Sequence, residues 1–254
     1  MKKVISLSIG MLAIASCISS PKGTITQKGE LIFQSNFEGT SRIVQDLNTN
    51  DYGAVYEHIA GADNTLKTKN DWDKDWVGVT GKGVMQVQYT GGDSTKRFAK
   101  VIPEPNNPKN HVLQFWLNDS WKADGGAMKA RVQTNLYGIK GGYKEFHQSV
   151  RVFLSEDFNA VKSYPRKISW CTISEFWNNE WWVKDEKYGF RITLGIGKPS
   201  AESSDLNFIV NAENPGQKEV WNADNPQVKV PIGKWFTLDY YFKEGNQETG
   251  RFWV

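Results

Sequence analysis

Trp235-Phe236-Thr237-Leu238-Asp239-Tyr240-Tyr241-Phe242-Lys243 alternates in character with a period of two. A period of two puts successive side chains on opposite faces of an extended strand. Phe236, Leu238, Tyr240 and Phe242 form the inward set, and Trp235, Thr237, Asp239 and Tyr241 the outward one. Pro231 and Gly233 punctuate the chain before this run, and a polar turn, Glu244 to Thr249, follows it. Gly250-Arg251-Phe252-Trp253-Val254 then opens another strand, so the chain is expected to lack its last strand or strands.

Working outward, the same alternation recurs. In 190–196, Phe190, Ile192, Leu194 and Ile196 point inward and Arg191 and Thr193 outward. In 206–210, Leu206, Phe208 and Val210 are inward and Asn207 outward. In 145–154, Phe146, Val150, Val152 and Leu154 oppose His147, Ser149 and Arg151. In 131–137, Val132, Thr134 and Leu136 oppose Arg131, Gln133, Asn135 and Tyr137. Weaker strands are expected over 30–38, 83–89 and 111–117, the last after a Pro-rich turn from Pro103 to Pro108. The Asp-rich and Lys-rich stretch 63–76, with Trp72 and Trp76, reads as an ordered loop. No ordinary amphipathic helix is visible. The pattern predicts an all-β, two-sheet antiparallel sandwich over residues 30–254.

The N-terminus reads as a processing signal rather than fold. Lys2 and Lys3 precede a short apolar stretch from Val4 to Ala13, too short and dilute to span a bilayer. Ile14-Ala15-Ser16-Cys17 then has the form of a lipobox, with Cys17 as the lipidated first residue of the mature chain. Residues 1–16 would be the signal and 17–29 a polar tether. The expected location is the bacterial cell envelope, lipid-anchored, and Ile18 after the cysteine favours the outer membrane over retention at the inner one. Loss of Lys2 and Lys3 takes the formal charge from +3 to +1, which gives no basis for nucleic-acid binding. Membrane contact is expected through the lipid alone. Cys171, the second of two cysteines, lies in an apolar run and reads as an inert buried thiol.

The chain holds 11 Trp, 9 Tyr and 13 Phe, enough for both a packed core and a stacking platform for sugar rings. The outward faces carry planar donors such as Arg131, Gln133, Asn135, His147, Arg151 and Arg191 rather than the Lys, Glu and Thr of an ordinary solvated face. No cofactor or metal motif stands out. His58 and His111 are isolated, and the alternating Asp71, Asp73 and Asp75 lack the glycine and closing glutamate of a calcium loop, although a structural calcium elsewhere in the sandwich is compatible with the sequence.

Trp170-Cys171-Thr172-Ile173-Ser174-Glu175-Phe176-Trp177-Asn178-Asn179-Glu180-Trp181-Trp182, the segment 230–245 with its P-x-G-K-W start, the closing 250–254 and the opening Asn36-Phe37-Glu38-Gly39 together resemble the concanavalin A-like lectin/glucanase superfamily. That resemblance implies a jelly roll that binds or cleaves polysaccharide or oligosaccharide. As a lyase on an anionic glycan, it would draw an acid, a base and a charge neutraliser from Arg131, Gln133, Tyr137, His147, Glu175 and Tyr241. Tyr241-Phe242-Lys243-Glu244-Gly245 is similar to an alginate-lyase element, while the R-x-E-x-R and Q-x-H elements of those enzymes are not matched. As a glycan-binding module, it would use Asn135, Arg151, Trp177, Trp181, Trp182 and Arg191. As a retaining hydrolase, it would pair Glu175 with Glu180, although Trp177 stands where the superfamily's hydrolases carry an aspartate. The lyase is the leading expectation of the three.

Overall fold

A computed structural model describes residues 29–49, 54–76, 86–90, 95–122, 128–136, 143–169, 171–178, 189–214 and 216–254. Residues 17–28 of the expected tether, Cys17 among them, together with Tyr137, Glu180, Trp181 and Trp182, lie outside these residues. The described chain is all-β, its ladders are antiparallel and no sheet closes into a barrel, as the alternating runs predict. Where the sequence was read as one sandwich over 30–254, contacts group the chain into two compact units, Lys22–Tyr143 and Lys144–Val254.

In Lys22–Tyr143, strands β1 (Arg42–Thr49), β2 (Ala54–Ala60), β3 (Gln86–Thr90) and β8 (Val132–Asn135) form one sheet in that order. β4 (Arg97–Glu104) and β5 (Asn107–Leu117) make a hairpin, and β6 (Trp121–Lys122) and β7 (Met128–Lys129) a short pair. The Pro-rich segment is not a long turn. Only Pro105 and Asn106 turn, while Pro103 and Pro108 sit inside the two-stranded ribbon, where strands have open edges that tolerate a missing amide. Residues 30–36 do not join a ladder as expected. Instead Phe33 and Phe37 pack on Trp72, with ring centroids 4.4 and 6.0 Å away. Trp72 and Trp76 are buried in a single π-type turn, so stretch 63–76 is an ordered plug under the sheet.

Asp63 fixes that plug. It is fully buried, and its carboxylate accepts the backbone amides of Asn36 (2.6 Å) and Thr65 (3.1 Å) and the Thr65 hydroxyl (2.6 Å). Burial disfavours its charge, but these bonds together outweigh that and hold the carboxyl below the ordinary range. Asp71, Asp73 and Asp75 also accept backbone amides. Among the described residues, no group of three or more metal-binding side chains converges.

Lys144–Val254 is a two-sheet sandwich in its own right. One sheet has the order β10 (Thr172–Asn178), β11 (Phe190–Gly197), β12 (Asn207–Glu213), β13 (Glu219–Lys229). The other has β14 (Trp235–Lys243) between β15 (Arg251–Trp253) and β9 (Glu145–Phe153). The core between them is the alternating set read from the sequence: Ile192, Leu194, Ile196, Phe208, Val210 and Leu238, with Tyr240 and Phe176 (centroids 5.2 Å apart) bridging the sheets. Cys171 borders this core, and burial raises its thiol pKa.

Four residues differ in burial from what their assigned faces predict. Asn207 is buried, at the bulge where β13 departs from strict register around Pro226. Val150 and Leu136 are exposed: Val150 lies mid-way along the outermost strand of a three-stranded sheet, and Leu136 lies just past the end of β8. Tyr241 is on the outward face but only 7% exposed, because Trp253 on β15 covers it.

Candidate functional site

The outer face of the β9–β14–β15 sheet is built by pairing. The register sets His147 opposite Tyr241, Ser149 opposite Asp239, Arg151 opposite Thr237, and Tyr241 in turn opposite Trp253. All are outward residues of period-two runs, so the strands alone bring them onto one surface. The His147 and Tyr241 rings lie 4.7 Å apart, and the Tyr241 and Trp253 rings 4.5 Å apart. Trp253 is 53% exposed, leaving an aromatic surface open at the edge. Further along, the Arg151 guanidinium stands 5.0 Å from the Trp235 ring.

Glu145 organises the end of this row. It accepts the Tyr241 hydroxyl at 2.6 Å and lies 3.3 Å from Lys243 Nζ. The bond from Tyr241, followed by the one from Lys243, lowers the Glu145 pKa. The same bond, with burial and the carboxylate charge, raises that of Tyr241. Tyr241 therefore stays protonated at neutral pH, with its proton directed by a fixed carboxylate. Beside it opens a cleft of about 380 Å³ lined by Tyr241, Lys243, Glu248, Thr249, Arg251 and Trp253. Its far wall is the β14–β15 turn, where Asn246 Oδ1 accepts the amides of Glu248 and Thr249. Arg251 is anchored to the carbonyls of Glu248 and Gly250.

The other outer face, on β10–β13, carries a different arrangement. Arg191 Nε contacts Glu175, and its Nη1 lies 3.1 Å from Glu213. Burial works against the Arg191 charge, but the two carboxylates more than offset it and raise its pKa. The guanidinium lies 5.3 Å from the Trp177 ring, and Trp177 is 40% exposed. Glu175 is thus tied up by the Arg191 guanidinium, and its expected partner Glu180 is outside the described residues.

Of the six expected catalytic residues, His147 and Tyr241 come together, with the expected binding residue Arg151 in the same row. Glu175, Arg191 and Trp177 form the separate cluster. Arg131, Gln133 and Asn135 belong to the Lys22–Tyr143 unit, where Gln133 donates to Asn135 on β8. Glu145, Lys243, Arg251 and Trp253 were not singled out. The signal for Glu145 was present, two residues before His147 in the same alternation, but its meaning depends on the register with Lys243. No protein-family profile, curated protein or solved structure matches this chain.

Proposed function

We propose that the chain takes an acidic polysaccharide along the β9–β14–β15 face and cleaves it by β-elimination. The observation that carries this reading is the His147–Tyr241 pair, a base and an acid in ring contact on neighbouring strands. His147 removes the proton next to the uronate carboxylate. Tyr241, kept protonated by Glu145, delivers its proton to the leaving glycosidic oxygen. One C–O bond breaks, one C=C bond forms, and water is not consumed. Lys243 and Arg251 border Tyr241 and supply positive charge for the substrate carboxylate, while Trp253 offers a stacking surface.

The test is incubation with a panel of anionic and neutral polysaccharides, following ultraviolet absorbance of the unsaturated uronate together with reducing ends. Absorbance that rises on an anionic glycan and disappears in His147→Ala supports the lyase. Reducing ends without absorbance would point to hydrolysis instead. A second reading, a non-catalytic glycan-binding surface, is favoured by the exposed Trp253 and by the Arg151–Trp235 contact; it requires retention on a glycan matrix with no product. The jelly-roll resemblance and the lipid anchor at Cys17 belong to the same proposal, since an envelope-tethered enzyme meets polymer that cannot enter the cell. Among the described residues, no helix is long and apolar enough to cross a membrane.

A further inference from the structure

A second cavity, of about 340 Å³, opens in the Lys144–Val254 unit where β12 begins and β13 ends. Its floor is apolar: Leu206 and Val230 are buried, and Pro231 and Ile232 continue the surface. Three lysines from three elements reach its rim: Lys162 after the helical turn Glu156–Val161, Lys229 at the end of β13, and Lys234 just before β14. Asp205 is the acidic residue in the lining. It stands 3.6 Å from Lys229 in an exposed pair and balances one of the three lysines, leaving the lining a formal surplus of two positive charges. Among the described residues, Lys162 and Lys234 have no carboxylate within ion-pair distance. Lys162 and Lys234 remain as like charges beside one apolar floor, a surplus that a bound anion would balance.

The walls are held in place. Gly233 has φ +73°, and a Cβ there would collide with the Glu156 carboxylate, so the 230–234 loop lies directly against the turn that carries Lys162. The Gly233 amide donates to the Leu154 carbonyl at 2.8 Å, and Glu156 is itself bonded by the Asn159 amide. The volume lies at the low end of the roughly 300–1,000 Å³ of small-ligand pockets.

We propose that this cavity binds one acidic sugar unit, its carboxylate or sulfate between Lys162 and Lys234 and the CH face of its ring on Pro231 and Ile232. The choice of a sugar rests on the reading given under Proposed function; the cavity's charge and floor do not. The test is electrophoresis of the full chain through gels containing polygalacturonate, dextran sulfate or neutral dextran, with mobility in the neutral gel as reference. The wild type is expected to be retarded in one of the acidic gels, which tells carboxylate from sulfate. Lys162→Gln/Lys234→Gln should weaken that retardation about tenfold. Lys167→Gln/Lys218→Gln, with the same charge change elsewhere, should leave it intact. Thermal melting verifies that both variants fold. No retardation of the wild type in either acidic gel, an unchanged Lys162→Gln/Lys234→Gln variant, or equal loss in both variants would each overturn the cavity. The product assay is scored separately. Elimination product with no selective effect of the lysines sinks this proposal alone, whereas selective retardation without product sinks only the lyase reading.

Discussion

Tyr241 does two jobs with separable parts. Its ring fills the space between His147 and Trp253, and its hydroxyl, which donates to Glu145, is the proton source in the elimination proposed above. Tyr241→Phe should keep the packing and melting temperature but lower product formation at least about 100-fold, the usual size of a lost general acid. Glu145→Gln removes the charge that raises the Tyr241 pKa. The phenol should then titrate nearer the ordinary 10.0, and the alkaline limb of the pH–rate profile should move to lower pH. A limb that stays in place would separate Glu145 from the chemistry. Asp63 gives a stability test with the opposite sign. Its folded pKa lies below the ordinary 3.8, so its contribution is present above 3.8 and is lost as pH falls through the lower folded value. Asp63→Asn should destabilise the protein at neutral pH by about 1–3 kcal/mol, with a smaller deficit in acid, as read by urea titration at both pH values.

At the scale of elements, legibility followed the burial of each strand. β11 and β14 were readable because each has a neighbour on both sides and one face in the core, so alternation is enforced along their lengths. Leu194→Ala, at 1% exposure, should cost about 2–5 kcal/mol by cavity formation, measured by chemical denaturation. β13 was not read as a strand. It is an edge strand with Asn222, Asp224, Asn225 and Pro226 in its sequence, and its bulge breaks the period that would have revealed it. β9 shows the converse: its outward row was correctly listed, yet inward Val150 is 37% exposed on an outermost strand. The aromatic segment before β1 looked like a strand because Phe33 and Phe37 are spaced like ladder residues, but their partners are Trp72 and Trp76 rather than another strand. Residue type and period identify the outward row; which members touch depends on register, and register is a property of two strands.

For the molecule as a whole, composition allowed both an aromatic core and a stacking platform, and Lys144–Val254 has an aromatic core that joins two sheets. Tyr240 is part of it, and burial pushes its pKa up to about 12 despite a hydrogen bond with Ser174. Keeping it protonated stabilises the fold fully below pH 10.0, and that contribution is lost as pH rises through about 12. The melting temperature should therefore drop between these values, and Tyr240→Phe should flatten the drop. The same core holds a built-in clock. Cys171 lies beside β10, its backbone carbonyl accepts the Ile196 amide at 2.9 Å, and its thiol has a raised pKa. A disulfide-forming dye reacts with thiolate, so the raised pKa and partial burial slow labelling, and parting of the strand from its neighbour speeds it. In a Cys17→Ala chain, where Cys171 is the one remaining cysteine, the rate of that reaction reports how often the sandwich breathes, and whether an added glycan slows it.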